Sequence, residues 1–212
     1  MPIAYGMLYQ CKESSHWYSW RCFNKITHAI QHNLKICDCE HIPDKLHFIT
    51  GVGGSGKSYL LKAVKAWSFI NTLEGKFVNT IGICGPTGLA GMNICGLTFH
   101  QLFCIPVEHG SHPKFRPLSQ TNLHQMRVLM KDMHCVIIDE GSMLNNLNLL
   151  YCSLRLDEVF NAGEWFGGKV IIIFGDLCHR LPPVNANPPY TDIPADTVNK
   201  FTNGLVMPTN IQ

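Results

Sequence analysis

The sequence is poor in charge and has no long apolar run. Only 15% of its 212 residues are charged, well below the roughly 25% of an average soluble protein. The net charge of +2 is not a clear basic excess, which argues against a free-standing DNA-binding module but not against a local groove. No apolar run approaches the roughly 20 residues of a membrane span. The N-terminus shows neither a basic segment followed by an apolar stretch nor an arginine excess, so we expect neither a secretory nor a mitochondrial signal.

The paired Cys-x₂-Cys spacing of ordinary zinc sites is also missing, although the chain has ten cysteines. Most of these cysteines fall inside expected strands and helices. That placement is typical of reduced, buried thiols in an intracellular protein rather than of a disulfide scaffold. The segment Cys37-Asp38-Cys39-Glu40-His41 leaves a metal site open as an alternative, with Cys11, His16 and Cys22 as further candidates.

The most informative segment that is present is Gly51-Val52-Gly53-Gly54-Ser55-Gly56-Lys57-Ser58, which fits the pattern G-x-x-x-x-G-K-[ST]. A short apolar strand pattern, 46–50, precedes it, and a helical pattern, 59–67, follows it. In that context, glycines let backbone N–H groups surround a triphosphate, and the helix N-terminus adds partial positive charge. We therefore predict a nucleotide-binding protein, with Lys57 at the β- and γ-phosphates and Ser58 as a ligand of magnesium.

Strand and helix patterns alternate along the rest of the chain, which predicts a parallel sheet covered by helices on both faces, the α/β fold of P-loop NTPases. The expected helices are 23–34, 98–103, 123–133 and 145–160, and the further expected strands are 78–84, 134–140 and 169–174. The length suits one such domain at 23–184. We expect an extension of unknown role at 1–22, whose aromatic cluster at 16–20 packs against the domain, and a coil-like tail or truncated linker at 185–212.

Acidic residues follow two of these strands, at the edge where open parallel sheets bind ligands. Asp139 would join Ser58 in holding magnesium, and Glu140 would accept a proton from the attacking water. The alternative is a helix N-cap region, because Ser142 and Asn145 lie nearby. The predicted catalytic residues are Lys57, Asp139 and Glu140; the predicted nucleotide-binding residues are Gly51, Gly53, Gly54, Ser55, Gly56, Lys57, Ser58 and Asp176.

Four segments occur in an order that resembles one helicase family. They are 48–58; 85–90 with 93–94 and 96–100 (Gly-Leu-Thr-Phe-His); 136–143 (Val-Ile-Ile-Asp-Glu-Gly-Ser-Met); and 166–168 with 174–176 and 181–184 (Leu-Pro-Pro-Val). From about Phe48 to Val184 the chain resembles the Pif-one family of 5′-to-3′ DNA helicases, including relatives in Helitron-type mobile elements. The resemblance implies a RecA-like lobe that uses ATP and Mg²⁺.

The resemblance also implies where DNA would lie. Its single-strand motif places Pro86, Thr87, Thr98 and His100 along a DNA track, where neutral groups can hold phosphates without reading sequence. The other reading of His100 is a core histidine at a helix end. The implied partners are single-stranded DNA or DNA junctions, and a second RecA-like lobe, absent from these residues, that supplies an arginine to the γ-phosphate. Repair, recombination and telomere maintenance in the nucleus are implied too, with a mitochondrial or mobile-element setting as the alternative.

The chain departs from the family pattern at two places. The usual adenine-recognising glutamine before the first strand is replaced by Thr27, and the usual γ-phosphate-sensing glutamine is missing from 177–180 (Leu-Cys-His-Arg), where His179 or Arg180 could face the phosphate. We expect these residues alone to bind Mg-ATP, to hydrolyse it slowly and not to unwind duplex.

Two alternatives to a helicase lobe stay open. One is a nucleotide-binding remnant that does not unwind DNA. The other is a small-molecule kinase, which needs a lid with arginines over the phosphates; the candidates Arg116, Arg127, Arg155 and Arg180 form no lid-like cluster in the sequence.

Overall fold

A computed structural model describes residues 17–72, 80–107, 114–176, 187 and 192–202. Five parallel strands form one sheet in the order β1-β5-β4-β2-β3. The strands are β1 Leu46–Thr50, β2 Ile81–Gly85, β3 Leu97–Thr98, β4 Cys135–Ile138 and β5 Val170–Gly175. The central strands β4 and β5 are buried at every residue, as expected where helices cover both faces of a parallel sheet. The predicted α/β fold is confirmed.

Helices cover the two faces of the sheet, and each face has its own apolar core. The helices are α1 Trp17–Asn33, α2 Lys57–Thr72, α3 Gly88–Asn93, α4 Phe99–Phe103, α5 Gln120–Met130, α6 Asn146–Phe160 and α7 Ala195–Thr202, with short 3₁₀ turns at Gly141–Met143 and Trp165–Gly168. Side chains of β4 alternate between the faces: Ile137 packs with α1 and α2, whereas Val136 and Ile138 pack with α4, α5 and α6. No helix in the described ranges is long and apolar enough to cross a bilayer.

The first helix begins earlier than the sequence predicts. It starts at Trp17, so the predicted boundary after residue 22 falls inside a helix. Trp20 stacks on Phe23 with ring centroids 5.6 Å apart and packs against the core under α1 and α2. The packing prediction for the aromatic cluster holds for Trp20, while residues 1–16 lie outside the described part of the chain.

The coil prediction for 185–212 is wrong for its last described segment. Residues Ala195–Thr202 form α7, whose Val198 and Phe201 pack against the core on the α6 face. The carbonyl oxygen of Phe201 accepts a hydrogen bond from the backbone N–H of Phe115 at 2.9 Å. A helix of eight residues has too few turns to show a clear period in the sequence, and docking rather than local propensity stabilises it.

Candidate nucleotide site and DNA track

The phosphate-loop pattern lies between β1 and α2, in the strand–loop–helix context that the sequence predicts. Gly54 and Gly56 have φ values of +78° and +91°, a left-handed backbone that favours glycine. The Lys57 ammonium folds back on the loop and donates to the carbonyl oxygens of Gly51 and Val52 at 2.5 and 3.0 Å. Ser58 follows in the first turn of α2, with its side chain exposed. The predicted binding residues at 51–58 therefore lie together in the loop after β1 and at the start of α2.

The two predicted acids follow β4 directly. The Asp139 carboxylate accepts a hydrogen bond from the backbone N–H of Glu140 at 3.0 Å, and both residues are half-buried. Glu140 has a φ of +53°, which few residues other than glycine and asparagine adopt. Glu140 precedes the 3₁₀ turn Gly141–Met143. The next helix, α6, has Asn145 as its N-cap residue, so neither acid caps it. The N-cap alternative for the acid pair is therefore not observed.

Strand register places the loop and the acids at one edge of the sheet. Thr50 pairs with Gly175, and Ile138 pairs with Ile173. Because β5 lies between β1 and β4, two strand spacings, or roughly 10 Å, separate the loop from the acids. Asp176 ends β5 in that interval and is half-buried. A triphosphate with its metal ion can bridge a gap of this size.

Burial raises the pKa of the Asp139 carboxyl above its ordinary value. The negative charge of Glu140 adds to this rise, whereas the Glu140 N–H and the positive charge of Lys57 oppose it. The opposing effect of Lys57 agrees with the strand register, which places the loop and the acids at the same edge of the sheet. A half-buried carboxylate that meets so little positive charge is well suited to receive a cation.

The two halves of the predicted DNA track come together through β2 and β3. Gly85 pairs with Thr98 in the parallel register, which places Pro86 and Thr87 beside Thr98 at the carboxyl edge. Gly96 permits this pairing, since a Cβ there would lie 2.5 Å from the Ile83 carbonyl oxygen.

Both threonines of the track also cap helices. The Thr87 Oγ1 accepts from the Ala90 N–H at 3.2 Å, and the Thr98 Oγ1 accepts from the Gln101 N–H at 3.2 Å in a capping box. A capping hydroxyl still has its own proton to donate. His100 is half-buried in α4 with its ring edge-on to Phe99, 5.9 Å between centroids, and both the DNA-contact and the core-histidine readings stay predictions.

Thr27, which stands where the family resemblance implies an adenine-recognising glutamine, directs its side chain to the backbone of its own helix. Its hydroxyl is buried in α1 and donates to the carbonyl oxygens of Phe23 and Asn24 at 2.9 and 3.2 Å. The hydroxyl that stands in place of the glutamine amide is therefore hydrogen-bonded within α1. The second departure, at 177–180, lies outside the described residues, as does the motif at 181–184.

Two of the four candidate lid arginines are structural. The buried Arg155 guanidinium donates to the carbonyl oxygens of Phe103 and Arg116 at 3.0 and 2.9 Å and pairs with Glu158. Arg127 donates to the last carbonyls of α6 on the same face of the sheet. Neither side chain is available to close over a phosphate, which removes the main support for a kinase lid in the described part of the chain.

Ser142 lies beside the acid pair and carries a buried hydroxyl that the sequence did not single out. The residue is 2% exposed, and its buried hydroxyl has no hydrogen-bond partner among the described residues. It lies where β4 and β5 end, because a Cβ on Gly175 would be 3.6 Å from the Ser142 Oγ. Only its place two residues after the acid pair could have pointed to it.

Comparison with known proteins decides the family. The family model for PIF1-like helicase matches residues 25–201. The chain belongs to the PIF1-like helicase family. It is 29% identical over 160 residues to the ATP-dependent DNA helicase PIF1 of Candida albicans, covering 73% of this chain and 16% of the relative.

Solved PIF1-like helicases have the same fold. Pif1 from a Bacteroides species in complex with ADP-AlF4 matches with a TM-score of 0.53 and 30% identity, over 77% of this chain and 33% of the other. Bacteroides Pif1 bound to ssDNA matches with a TM-score of 0.52 and 30% identity, over 76% of this chain and 34% of the other. The chain therefore spans about a sixth of the Candida relative and about a third of the Bacteroides chains.

Proposed function

We propose that these residues form the first motor lobe of an ATP-dependent DNA helicase, binding Mg-ATP and coupling its hydrolysis to movement on single-stranded DNA. One observation carries the proposal: a single sheet edge holds the phosphate loop, the acid pair and the two halves of the DNA track. The Bacteroides relatives, solved with ADP-AlF4 and with ssDNA, support both ligands.

Lys57 and the loop amides would hold the phosphates. The Lys57 ammonium now donates to the two loop carbonyls of Gly51 and Val52, which are weaker partners than phosphate oxygens. Exchange of these partners for the β- and γ-phosphates requires only that the lysine side chain swing outward. The exposed left-handed glycines leave the backbone open to the ligand, since a Cβ on Gly54 or Gly56 would contact nothing within 4 Å.

The donor set at this edge fits magnesium. A hydroxyl from Ser58 and a carboxylate from Asp139 are hard oxygen ligands, and Mg²⁺ in nucleotide sites takes only one or two protein ligands besides phosphates and water. Bound magnesium would supply charge neutralisation at the β- and γ-phosphates. It would also remove the electrostatic cost of the half-buried Asp139 carboxylate.

Glu140 would take the proton from the attacking water. Its left-handed backbone turns the chain sharply after β4, one residue beyond the metal-binding acid. The water oxygen attacks the γ-phosphorus, the bond to the β–γ bridging oxygen breaks, and the water proton passes to the Glu140 carboxylate. The Lys57 charge stabilises the negative charge that develops on the phosphate oxygens.

A hydrogen bond joins the end of β4, which carries the acid pair, to β2, which leads into the proposed DNA track. The Asp139 N–H donates to the Cys84 carbonyl oxygen at 2.9 Å, two residues before Pro86. A shift of Asp139 on nucleotide binding would therefore move the end of β2 and with it Thr87 and Thr98. This short connection is the physical basis we propose for coupling hydrolysis to the DNA track.

The test is ATP hydrolysis by these 212 residues with and without single-stranded DNA. We expect slow Mg-dependent turnover that DNA stimulates, because an arginine from a second lobe, which we propose completes the site, is worth on the order of 10³- to 10⁵-fold in other NTPases. Lys57→Ala should abolish both turnover and nucleotide binding. Lys62→Ala is the matched control, since Lys62 is exposed on the same helix.

Each outcome separates the alternatives. Nucleotide binding with no response to DNA in binding or turnover would favour the nucleotide-binding remnant over the motor lobe. Phosphate transfer to a small acceptor would favour the kinase. Nuclear residence and roles in repair, recombination and telomere maintenance stay predictions from the family resemblance, and imaging of a fluorescent fusion tests the first of them.

A further inference from the structure

Three side chains of the types that ligate metals meet near the end of α1, in the segment before β1 and the phosphate loop. The His28 Nε2 lies 3.2 Å from the Cys39 Sγ and 3.5 Å from the Cys37 Sγ, and the two sulfur atoms are 2.8 Å apart. All three ligand atoms lie within 4.8 Å of one another, and all three residues are half-buried. We call this group the His28 cluster.

The fold of α1 explains why these residues meet. Lys35 has a φ of +58° and donates its N–H to the His32 carbonyl oxygen, while Ile36 donates to Gln31. This left-handed C-terminal turn reverses the chain, as such turns commonly do at helix ends. The reversal brings residues 37–39 back along α1 to His28, which the sequence pattern Cys-x-Cys alone does not suggest.

We propose that His28, Cys37 and Cys39 bind a Zn²⁺ ion. Thiolate sulfur and imidazole nitrogen are the ligands that zinc prefers. Around a tetrahedral zinc ion, with Zn–S near 2.3 Å and Zn–N near 2.05 Å, neighbouring ligand atoms are roughly 3.5 to 3.8 Å apart. The two histidine–cysteine distances are already close to this value, and the two sulfurs need to separate by roughly 1 Å as thiolates of a common ion.

The described residues supply three of the four ligands that a tetrahedral zinc site takes. The Cys39 Sγ lies 3.5 Å from the backbone carbonyl oxygen of His41, whose side chain is exposed. Neither His41 nor Cys22, on α1, is part of the cluster, and Cys11 and His16 lie outside the described residues.

Zinc would hold in place the segment that connects α1 to β1, just before the phosphate loop. Residues 34–45 connect α1 to β1 without a regular helix or strand, and β1 leads directly into the phosphate loop. A metal that joins residues 37 and 39 to α1 would fix this connection, and its binding free energy would add to the stability of the folded chain. The cluster itself takes no part in the chemistry proposed for the sheet edge.

The test is zinc content and cobalt spectroscopy on the full chain, purified under reducing conditions. After dialysis, elemental analysis should find about one zinc per chain, as one tetrahedral site requires. Exchange of zinc for Co²⁺ should give the intense visible bands of tetrahedral coordination together with thiolate-to-cobalt charge transfer. Zinc removal by a chelator should lower the Tm on the order of 5 °C.

Variants assign the ligands. Cys37→Ser, Cys39→Ser and His28→Gln should each weaken zinc binding by at least about tenfold. Cys95→Ser and His32→Gln are matched controls and should keep it, because Cys95 is an exposed thiol outside the cluster and His32 lies one turn after His28 on the same helix.

Three results would overturn the proposal without reference to nucleotide or DNA binding. They are a wild-type chain that takes up neither zinc nor cobalt, a Cys37→Ser variant that binds zinc as tightly as wild type, and zinc binding that survives full oxidation of Cys37 and Cys39 by an added oxidant. Because a variant that fails to fold would also lose zinc, X-ray absorption is measured on the zinc-loaded wild-type protein. Sulfur and nitrogen neighbours of the zinc support the site, and a shell made only of oxygen atoms contradicts it.

Discussion

At the scale of single residues, Asp139 combines a functional advantage with a structural cost. Burial raises the pKa of its carboxyl, which means that the folded chain holds the proton more tightly than the unfolded chain does. Stability from this group is therefore fully present below the unfolded pKa and is lost as the pH rises through the folded pKa. At neutral pH the ionised carboxylate destabilises the ligand-free lobe, and the magnesium ion that we propose at this site would offset this cost.

Asp139→Asn is expected to raise the Tm of the metal-free chain at neutral pH and to abolish the additional stabilisation by Mg-ATP. Asparagine has no charge to bury, and it is a poor ligand for the metal. The Tm difference between variant and wild type should shrink as the pH is lowered through the pKa of Asp139, since the wild-type side chain then becomes neutral too. Thermal melts between acidic and neutral pH measure this difference. If the Asn variant were less stable than wild type at neutral pH, the ionised Asp139 carboxylate would be stabilised by its surroundings even without a ligand.

Glu140→Gln is expected to keep nucleotide binding and lose turnover. Glutamine preserves the size of the side chain but cannot accept the proton of the attacking water, and loss of a general base costs roughly 10²- to 10⁴-fold. Titration with Mg-ATP and single-turnover hydrolysis measure the two effects separately. Turnover unchanged from wild type would remove Glu140 from the role of base.

At the scale of the elements, close backbone contacts hold the DNA track in place. The short strand β3 pairs with β2 at only two positions, so its place depends on the lack of side chains at Gly96 and Gly91. A Cβ on Gly91 would lie 2.7 Å from the Leu97 carbonyl oxygen. These glycines allow β3 and α3 to approach each other, which sets the distance between Thr87 and Thr98.

Gly96→Ala is expected to destabilise the lobe by about 1–3 kcal/mol, the usual cost of overpacking, and to weaken binding of single-stranded DNA more than binding of ATP. The added methyl group would lie 2.5 Å from the Ile83 carbonyl oxygen and displace β3 from β2. Gly88→Ala is the control, because a Cβ there meets nothing within 4 Å and alanine favours a helix by about 1 kcal/mol. Equal losses of ATP and DNA affinity in Gly96→Ala would argue against a local effect on the track.

At the scale of the whole molecule, the lobe extends to Thr202. Helix α7 packs on the face of α6, the Asn187 carbonyl oxygen accepts from the Asn146 N–H at 3.1 Å, and Phe115 bonds to Phe201. Segments far apart in sequence therefore complete the core on that face. The sequence-based boundary at 184 would remove them.

A chain that ends at Asp192 is expected to lose about 2–4 kcal/mol of its free energy of unfolding, since Val198 and Phe201 would no longer bury their side chains. Chemical denaturation measures the loss, and nucleotide affinity at low temperature should change little because Val198 and Phe201 pack in the core on the α6 face, whereas the helix after the phosphate loop packs in the core on the other face. Asn199→Ala in the longer chain, a change at an exposed position of α7, serves as control. A truncated chain as stable as the full one would place α7 outside the cooperative unit.

The sequence by itself determined the parallel α/β sheet, the phosphate loop and the acid pair, because each depends on a local pattern: an apolar strand followed by glycine or by carboxylates. Through family resemblance it also predicted that Thr87 and Thr98 lie along one DNA track, although only the β2–β3 register shows that they lie close together. Tertiary structure alone decided that Arg155 is buried between three segments, that residues 195–202 form a helix, and that His28 joins Cys37 and Cys39. These three depend on contacts between residues that are distant in the chain or separated by a reversal, and no short-range pattern encodes such contacts.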